Sequence, residues 1–353
     1  MSFVPGVELA ARLYREGVAP VLSRHRPGLA HSAALIGAGS EVLGFDTARS
    51  TDHDWGPRLQ LFVASVDTGL ADLLARELPG SVAGYSTNLV RVGERRHLRP
   101  AAGPVEHGVE IVALADWLVG RLGFDPLAGV STVDWLATPT QVLAEVTGGV
   151  VIHDGLGTLH AARRALAWYP DDLWRYVLAC QWQRVSQEEA FVGRCVEVGD
   201  ALGAAVVAAR LVRDLMRLCL LMDRQYPPYS KWVGSAFARL PCADRLGPVL
   251  TAAVTGQADQ LPVAYELVAE LHNDLGLTAP VDPSVRDFHE RPYRVLHAER
   301  FAAALMADSS VQGLPLTGAI DQVVDSTDVL TRPDLCRRLM HTLVGYAPVA
   351  DTP

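Results

Sequence analysis

The stretch that decides the fold is residues 35–55, which read LIGAGSEVLGFDTARSTDHDW. It begins with the end of a short apolar run that stops at glycine, a pattern that predicts a buried strand entering a tight turn. Gly39 and Ser40 form that turn, and Asp52 and Asp54 stand just before a second β-prone run. The segment therefore joins a glycine-serine turn after one strand to two acidic residues ahead of the next.

These residue types suit the binding of a metal and a phosphate. In an extended backbone residues i and i+2 point to the same face, so Asp52 and Asp54 are expected to share a hard cation such as Mg²⁺. A small turn lets backbone N–H groups and the Ser40 hydroxyl approach a phosphate closely. Aspartates often serve only as caps or turns, so the prediction rests on the joint pattern. That pattern predicts a site for a metal-bound nucleoside triphosphate.

The rest of the chain divides into two parts of different character. Roughly the first 150 residues alternate between helical and strand-like patterns, and a glycine-dense stretch, residues 148–157, follows. From residue 171 onward helical spacing dominates. We expect an α+β fold, with a small mixed-sheet domain at residues 1–155 and an all-α helical bundle at residues 156–353. The main helices predicted for the bundle span residues 197–223, 260–275 and 283–306.

The spacing of strand, Gly-Ser and Asp-x-Asp resembles the signature of the polymerase-β-like nucleotidyltransferase superfamily. Beyond that motif the chain is similar to a bacterial branch of the superfamily, a domain of unknown function, with a helical domain at its C-terminal end. The segments that carry the resemblance are DHDWGPRLQLF, VGRCVEVGDALG, AARLVRDLMRL, YPPYSKW, HNDLGLT and DQVVDSTDVL, so it covers most of the chain.

The resemblance implies a third acidic residue on a neighbouring strand. Glu110, between Val109 and Ile111, is the residue expected in that role, as a metal ligand or as the general base for the acceptor hydroxyl. A solvent-facing strand position is the alternative for Glu110, and Asp67 and Asp116 are competitors for the role. Asp52, Asp54 and Glu110 would then be both the catalytic residues and the ligands of Mg²⁺ or Mn²⁺. The expected co-substrate is a nucleoside triphosphate, with ATP favoured.

A second segment, YPPYSKW at residues 226–232, is expected to contact the nucleotide. The two prolines end one helix, and the next begins near Ser230, which places Lys231 in a first helical turn. A cation is tolerated there when an anion lies beside it. Lysines of the helical domain reach the triphosphate in similar enzymes, so Gly39, Ser40, Tyr229 and Lys231 are the expected nucleotide-binding residues. The alternative for Lys231 is a solvated surface lysine.

Charge and cysteine content restrict the partners. The formal net charge is −9, which disfavours a long polyanion as acceptor and favours a small molecule over RNA, with no DNA. A basic run, RVGERRHLR at residues 91–99, is expected to be a solvated hairpin tip or an RNA contact. The five cysteines lack metal-ligand spacing and no apolar run spans a bilayer, so we expect a cytoplasmic protein without membrane contact.

The predicted function is therefore transfer of a nucleoside monophosphate from a nucleoside triphosphate to an acceptor hydroxyl, with two-metal chemistry and release of pyrophosphate. Two alternatives remain open at this point. One is a nucleotide-binding or regulatory protein of the same fold without turnover. The other is a nucleotidyltransferase that modifies tRNA or another RNA.

Overall fold

The computed structural model describes residues 3–345 except 308, 310 and 312. The chain forms two compact units. The first consists of Met1–Val130 and Val142–Ala167, and the second of Ser131–Gln141 and Trp168–Pro353. The predicted α+β class is confirmed, because a small mixed sheet lies in the first unit and helices dominate the second.

The strands are short and the helices numerous. The strands are β1 (His31–Leu35), β2 (Arg58–Val63), β3 (Ser81–Val82), β4 (Tyr85–Ser86), β5 (Asn88–Val92), β6 (Arg95–Arg99), β7 (Gly108–Val112), β8 (Val150–Asp154), β9 (Arg286–Phe288) and β10 (Arg291–Val295). The helices up to residue 200 are α1 (Gly6–Leu13), α2 (Ala19–His25), α3 (Thr68–Glu77), α4 (Leu114–Leu122), α5 (Thr132–Ala137), α6 (Thr140–Thr147), α7 (Leu159–Ala165), α8 (Asp171–Glu188) and α9 (Phe191–Glu197). The later helices are α10 (Ala201–Met222), α11 (Ser230–Phe237), α12 (Ala243–Val254), α13 (Gln260–Asp274), α14 (Glu299–Met306), α15 (Ile320–Val323), α16 (Thr327–Leu330) and α17 (Pro333–Val344).

The main sheet has four strands in the order β7-β2-β1-β8. β1 pairs antiparallel with β2 and β8, whereas β2 and β7 run parallel. In that parallel pair Gln60 lies directly opposite Glu110. The register therefore places the side chain of Gln60 beside that of Glu110, the predicted third acid.

The core of the first unit forms between this sheet and the N-terminal helical segment. Leu9 and Leu13 are spaced one helical turn apart on α1, and both are fully buried. A π-helical turn, Tyr14–Val18, links α1 to α2, and Leu22 continues the apolar face. Leu61 on β2 packs into the same core. Apolar burial of this kind supplies most of the stabilisation of a small sheet.

The long helix predicted over residues 197–223 is confirmed as α10 (Ala201–Met222), which begins four residues later than predicted. α9 ends at Glu197 and α10 begins at Ala201. Gly199 between them has φ of +75°, which ends the first helix, and the Asp200 carboxylate accepts a hydrogen bond from the N–H of Gly203 (2.7 Å). Only the start of the helix was wrong, because the helical spacing of the apolar residues continues across these two capping positions.

The helix predicted over residues 283–306 was also wrong in its first half. β9 and β10 form a two-stranded antiparallel ribbon, and only α14 is helical. Pro292 cannot donate a helical hydrogen bond, and His289 at the turn adopts φ of +55°. The second unit is therefore helical apart from this ribbon.

The glycine-dense stretch at residues 148–157 is not an irregular break, because it contains β8. The Asp154 carboxylate at the end of that strand accepts hydrogen bonds from the N–H groups of Gly157 and His160, which lead into α7. α7 lies in the first unit. The predicted domain limits, 1–155 and 156–353, stay a prediction.

Among the helices of the described chain, none is both long enough and apolar enough to cross a bilayer. The localisation expected from the sequence stays a prediction.

Candidate functional site

The loop that follows β1 is fixed at its start by the neighbouring strand. The N–H of Ile36 donates to Oε1 of Gln60 (3.1 Å), and the N–H of Gly37 donates to the carbonyl of Glu145 (2.8 Å). Gly37 and Gly39 have φ of +86° and +150°, conformations that favour glycine. These contacts hold the first residues of the loop in one conformation.

A buried ion pair between Glu41 and Arg58 packs against the loop after β1. The Glu41 side chain is almost fully buried, and its Oε1 accepts a hydrogen bond from Nε of Arg58 (2.8 Å). Nη2 of Arg58 also donates to the carbonyl of Ala38 (2.7 Å). A Cβ on Gly39 would lie 2.6 Å from Oε2 of Glu41 and closer still to Nη2 of Arg58. Gly39 is therefore needed because the ion pair passes directly against its backbone.

The same loop presents four consecutive amide donors. The backbone N–H groups of residues 38–41 have no hydrogen-bond partner within the part of the chain that the structure describes. The Ser40 hydroxyl is likewise without a partner among those residues, and Ser40 is half-buried. Successive free N–H groups around a glycine form a concave site that attracts an anion. This arrangement fits the expected phosphate-binding role of Gly39 and Ser40.

The two predicted aspartates lie in a bent segment, so the expectation of an extended backbone was wrong. Asp52 ends a short 3-10 helix, Ala48–Asp52, and Asp54 has φ of +48°. The cause is a capping box at the start of that helix, where the N–H of Arg49 donates to the Thr47 hydroxyl and Ser50 accepts from the N–H of Thr47 (3.0 Å).

Both aspartates are exposed and both have one engaged oxygen. Oδ1 of Asp52 lies 2.8 Å from Nδ1 of His53, and Oδ1 of Asp54 accepts from the N–H of Arg96 (3.0 Å). The N–H of Asp54 also donates to the carbonyl of Arg96 (2.9 Å). Two hydrogen bonds thus attach Asp54 to the backbone of the β5–β6 hairpin, while Oδ2 of each aspartate has no partner among the described residues.

Glu110 is exposed on β7 and is linked to the loop after β1. Its Oε2 accepts a hydrogen bond from Nε2 of Gln60 (3.2 Å), and the other end of that buried amide accepts from the N–H of Ile36. Oε1 of Glu110 has no hydrogen bond to the described residues. Glu110 therefore stands beside the strand that leads from the aspartates, with one oxygen free.

The carboxylates have the ligand chemistry that a divalent cation prefers, but they are not already arranged around one position. Asp52, Asp54 and Glu110 each retain an oxygen of the type that Mg²⁺ and Mn²⁺ prefer. In the described chain no three His, Cys, Asp or Glu side chains stand close enough together to hold a metal ion. The two other candidates for the third acid lie at helix starts. Asp67 caps α3 by accepting from the N–H of Gly69 (2.9 Å), and Asp116 lies in the first turn of α4.

The remaining predicted residues lie in the second unit. α11 begins at Ser230, as predicted, and places Lys231 in its first turn with its side chain exposed. Nζ of Lys231 lies 4.8 Å from the centre of the Trp232 ring. Tyr229 precedes the helix and its N–H donates to Oε1 of Gln141 (3.1 Å).

The basic run is an exposed hairpin, β5–β6, as predicted. Its arginines, Arg91, Arg95, Arg96 and Arg99, are all exposed. None of the four forms an ion pair with an acidic residue that the structure describes. The hairpin is thus an unneutralised basic surface attached directly to Asp54.

Sequence reasoning missed three residues that organise this site: Glu41, Arg58 and Gln60. A signal was present, because Arg58 and Gln60 alternate with apolar residues on β2. Polar residues at every second position of a mostly buried strand mark one face on which polar partners are needed.

Residues 135–233 match DUF4037, a domain of unknown function. The DUF4037 region contains α8 and α10 and ends within α11, and it makes up less than a third of the chain. The expected resemblance to a family without assigned function is confirmed there.

Among solved structures, the chain is similar to a nucleotidyltransferase-like protein from Exiguobacterium sibiricum 255-15. The identity is 14%, the TM-score is 0.26, and the match covers 79% of this chain and 83% of that chain. The search of curated proteins gives no match.

Proposed function

We propose that this protein is a nucleotidyltransferase that moves a nucleoside monophosphate from a nucleoside triphosphate, with ATP favoured, to the hydroxyl of a small-molecule acceptor. The observation that carries the proposal is the row of N–H groups at residues 38–41 that, like the Ser40 hydroxyl, lack a partner in the described part of the chain. The exposed acids Asp52, Asp54 and Glu110 on the neighbouring segments add the anionic groups that the chemistry needs.

In the reaction the acceptor oxygen bonds to the α-phosphorus and the bond to the pyrophosphate group breaks, so pyrophosphate leaves. The N–H groups of the loop bind phosphate oxygens and orient the triphosphate for in-line attack. Glu110 accepts the proton of the acceptor hydroxyl or ligates a cation. Asp52, Asp54 and Glu110 would hold Mg²⁺ or Mn²⁺, and the bound cation would neutralise charge at the phosphates. Lys231 and Tyr229 are proposed as further nucleotide contacts.

Nucleotide binding tests the first half of the proposal. Calorimetric titration with each nucleoside triphosphate, with and without Mg²⁺, is expected to show binding that Mg²⁺ strengthens. Asp52→Asn combined with Asp54→Asn should remove the Mg²⁺ effect, because the amides keep the hydrogen-bond acceptors and lose the charge. Ser40→Ala should weaken binding by about tenfold, the loss of one hydrogen bond to a charged group.

Asp72→Asn is the matched control, an exposed acid on α3 of the same unit. Equal Mg²⁺-dependent binding by wild type and the double variant would refute the metal assignment. Incubation with labelled ATP and a metabolite extract, followed by mass spectrometry, tests turnover. Binding without a labelled product or released pyrophosphate would favour the non-catalytic nucleotide-binding protein instead.

A second candidate acceptor is RNA, and the exposed β5–β6 hairpin beside Asp54 favours it. If RNA is the acceptor, tRNA should bind with a strong salt dependence. Replacing Arg95, Arg96 and Arg99 together by Gln should lower the slope of log K against log salt by about 2, since each phosphate contact contributes roughly 0.7–0.9. The charge-matched control replaces Arg24, Arg76 and Arg164, which are also exposed. An unchanged slope in the hairpin variant would exclude RNA contact there.

A further inference from the structure

Arg121, in the last turn of α4, lies against the start of the loop after β1. A Cβ on Gly37 would lie 3.2 Å from Nη2 of Arg121, and Gly37 has φ of +86°, so glycine leaves room for the guanidinium there. The next residue, Ala38, carries the first of the four N–H groups that have no partner in the described chain. Arg121 therefore places a positive charge beside one end of the proposed phosphate-binding row.

The guanidinium of Arg121 keeps its capacity to form hydrogen bonds. It makes no hydrogen bond to any residue that the structure describes. Its charge partner is Glu145, whose Oε2 lies 3.7 Å from Nη1, whereas a charge-assisted hydrogen bond is about 2.7–2.9 Å long. The Arg121 side chain is 36% exposed, so a ligand can approach it from solvent. Its five N–H groups are therefore available to an acceptor from outside the chain.

Trp117, four residues before Arg121 on α4, carries an unsatisfied donor at the same place. The residue is buried, and its Nε1 has no hydrogen-bond partner in the described chain. A Cβ on Gly37 would lie 3.0 Å from Cζ2 of the ring, and Cζ2 and Nε1 share the bonded neighbour Cε2, so Nε1 lies near the edge of the ring that faces the loop. Cζ of Arg121 is stacked 5.2 Å from the ring centre. Buried donors nearly always have a partner, so this one marks a place that a bound group completes.

We propose that Arg121 and Trp117 bind a phosphate group of the nucleoside triphosphate that lies along residues 38–41. The inference rests on the proposed function and adds a cation to a site otherwise made of loop N–H groups and acids. Phosphate oxygens match the planar fork of an arginine, and the Nε1–H of Trp117 supplies one further donor from a rigid ring. The pyrophosphate group gains negative charge as it leaves, so a cation in this position stabilises the transition state as well as the bound nucleotide.

Calorimetric titration of the full-length protein, with ATP and Mg²⁺ and separately with inorganic pyrophosphate, tests the site. Arg121→Gln is expected to weaken the binding of both ligands by at least about tenfold, because the charged bidentate contact is lost. Arg121→Lys keeps the charge without the fork and should weaken it by about threefold. Trp117→Phe, which keeps an aromatic ring, should weaken it by roughly fivefold, the loss of one hydrogen bond. Circular dichroism checks that each variant is folded, and Arg121→Lys replaces Arg121→Gln if the latter is not.

Two controls make the outcome specific. Arg76→Gln removes an exposed arginine from the last turn of α3, the position that Arg121 holds in α4, and should leave both affinities unchanged. Glu145→Gln removes the charge partner of Arg121 and should not weaken binding, whereas equal losses in Glu145→Gln and Arg121→Gln would show that the pair is only structural and overturn the inference. ATP binding that Ser40→Ala weakens and Arg121→Gln leaves unchanged would overturn the inference and leave the proposed function standing. Pyrophosphate binding that depends on Arg121, without any binding of ATP, would support the phosphate contact and refute the proposed function. Absence of binding of both ligands by the wild type would overturn both.

Discussion

Two separate constraints favour glycine at position 39, the backbone conformation and the lack of room for a Cβ. Its φ of +150° favours glycine, and the Arg58–Glu41 pair occupies the place of a Cβ. A side chain there must displace an arginine from a buried carboxylate, and a broken buried pair is more costly than a strained turn alone.

We therefore expect Gly39→Ala to lower the free energy of unfolding by more than about 2 kcal/mol. Gly28→Ala is the control, because Gly28 also has positive φ (+85°) but nothing within 4 Å of a Cβ. That substitution should cost only about 1 kcal/mol, the conformational part. Chemical denaturation of both variants measures the difference. Equal losses of unfolding free energy in the two variants would show that the ion pair rearranges without an energetic cost.

Much of the first unit is predictable at the level of single residues. Helix α3 begins after Asp67 and β5 spans Asn88–Val92, and the sequence carries a local signal for each, a capping acid and a β-prone run. The bend at Asp52–Asp54 was not predicted. It depends on the Thr47–Ser50 capping box and on the hairpin backbone at Arg96, which is distant in sequence.

A side-chain cap is present at the start of some helices of the second unit and absent from others. Asp200 accepts a hydrogen bond from the first turn of α10, whereas Asp259 at the equivalent position of α13 makes no such bond. The two sites differ in this contact although both carry aspartate. They therefore form a matched pair for measuring one side-chain hydrogen bond.

Asp200→Ala is expected to lower the free energy of unfolding by about 1 kcal/mol, the usual value of a helix N-cap. Asp259→Ala should change it by less than about 0.5 kcal/mol. Urea denaturation followed by circular dichroism gives both values. A loss at Asp259 as large as that at Asp200 would show that charge near the helix end, rather than the hydrogen bond, is responsible.

The missed β9–β10 ribbon shows the limit of periodicity at the level of elements. Apolar residues there occur at spacings that fit a helix, and the sequence carries no two-residue glycine turn. The ribbon packs against α9 and α13, and Glu197 on α9 pairs with Arg291 (3.3 Å). Contacts with distant elements therefore decide its conformation, and these are not visible in a local window.

For the molecule as a whole, two buried groups of the second unit oppose each other in pH dependence. Glu189 accepts hydrogen bonds from the N–H groups of Leu296 (2.7 Å) and Ala298 (3.0 Å), and burial raises the pKa of Glu189 to about 7. His272 accepts a hydrogen bond from Nε1 of Trp182 (3.1 Å), and burial lowers the pKa of His272 to about 4.

The signs follow from proton uptake in each state. Between pH 4.5 and 7 folded Glu189 holds more protons than the unfolded chain, so its contribution to stability is present at low pH and is lost as the pH rises. Between pH 4 and 6.5 His272 takes up a proton only on unfolding, so its contribution is present at higher pH and is lost as the pH falls.

Relative to wild type, Glu189→Gln should therefore make the free energy of unfolding rise more steeply with pH, and His272→Gln should do the reverse. Each change is at most about 3 kcal/mol across its window. Denaturation series from pH 4.5 to 7 measure the slope of the free energy of unfolding against pH. A pH-independent loss of packing does not change this slope. Parallel curves for a variant and the wild type would contradict the stated protonation of that residue.

The segment Ser131–Gln141 belongs to the second unit although parts of the first unit flank it on both sides. Its helix α5 buries Trp135 and Leu136 and packs against α17, where Arg337 forms an ion pair with Asp134. A ribosome makes α5 long before α17, since some two hundred residues separate Asp134 from Arg337. During synthesis Trp135 can therefore pack against Tyr169 early, whereas the ion pair of Asp134 forms only after α17 emerges.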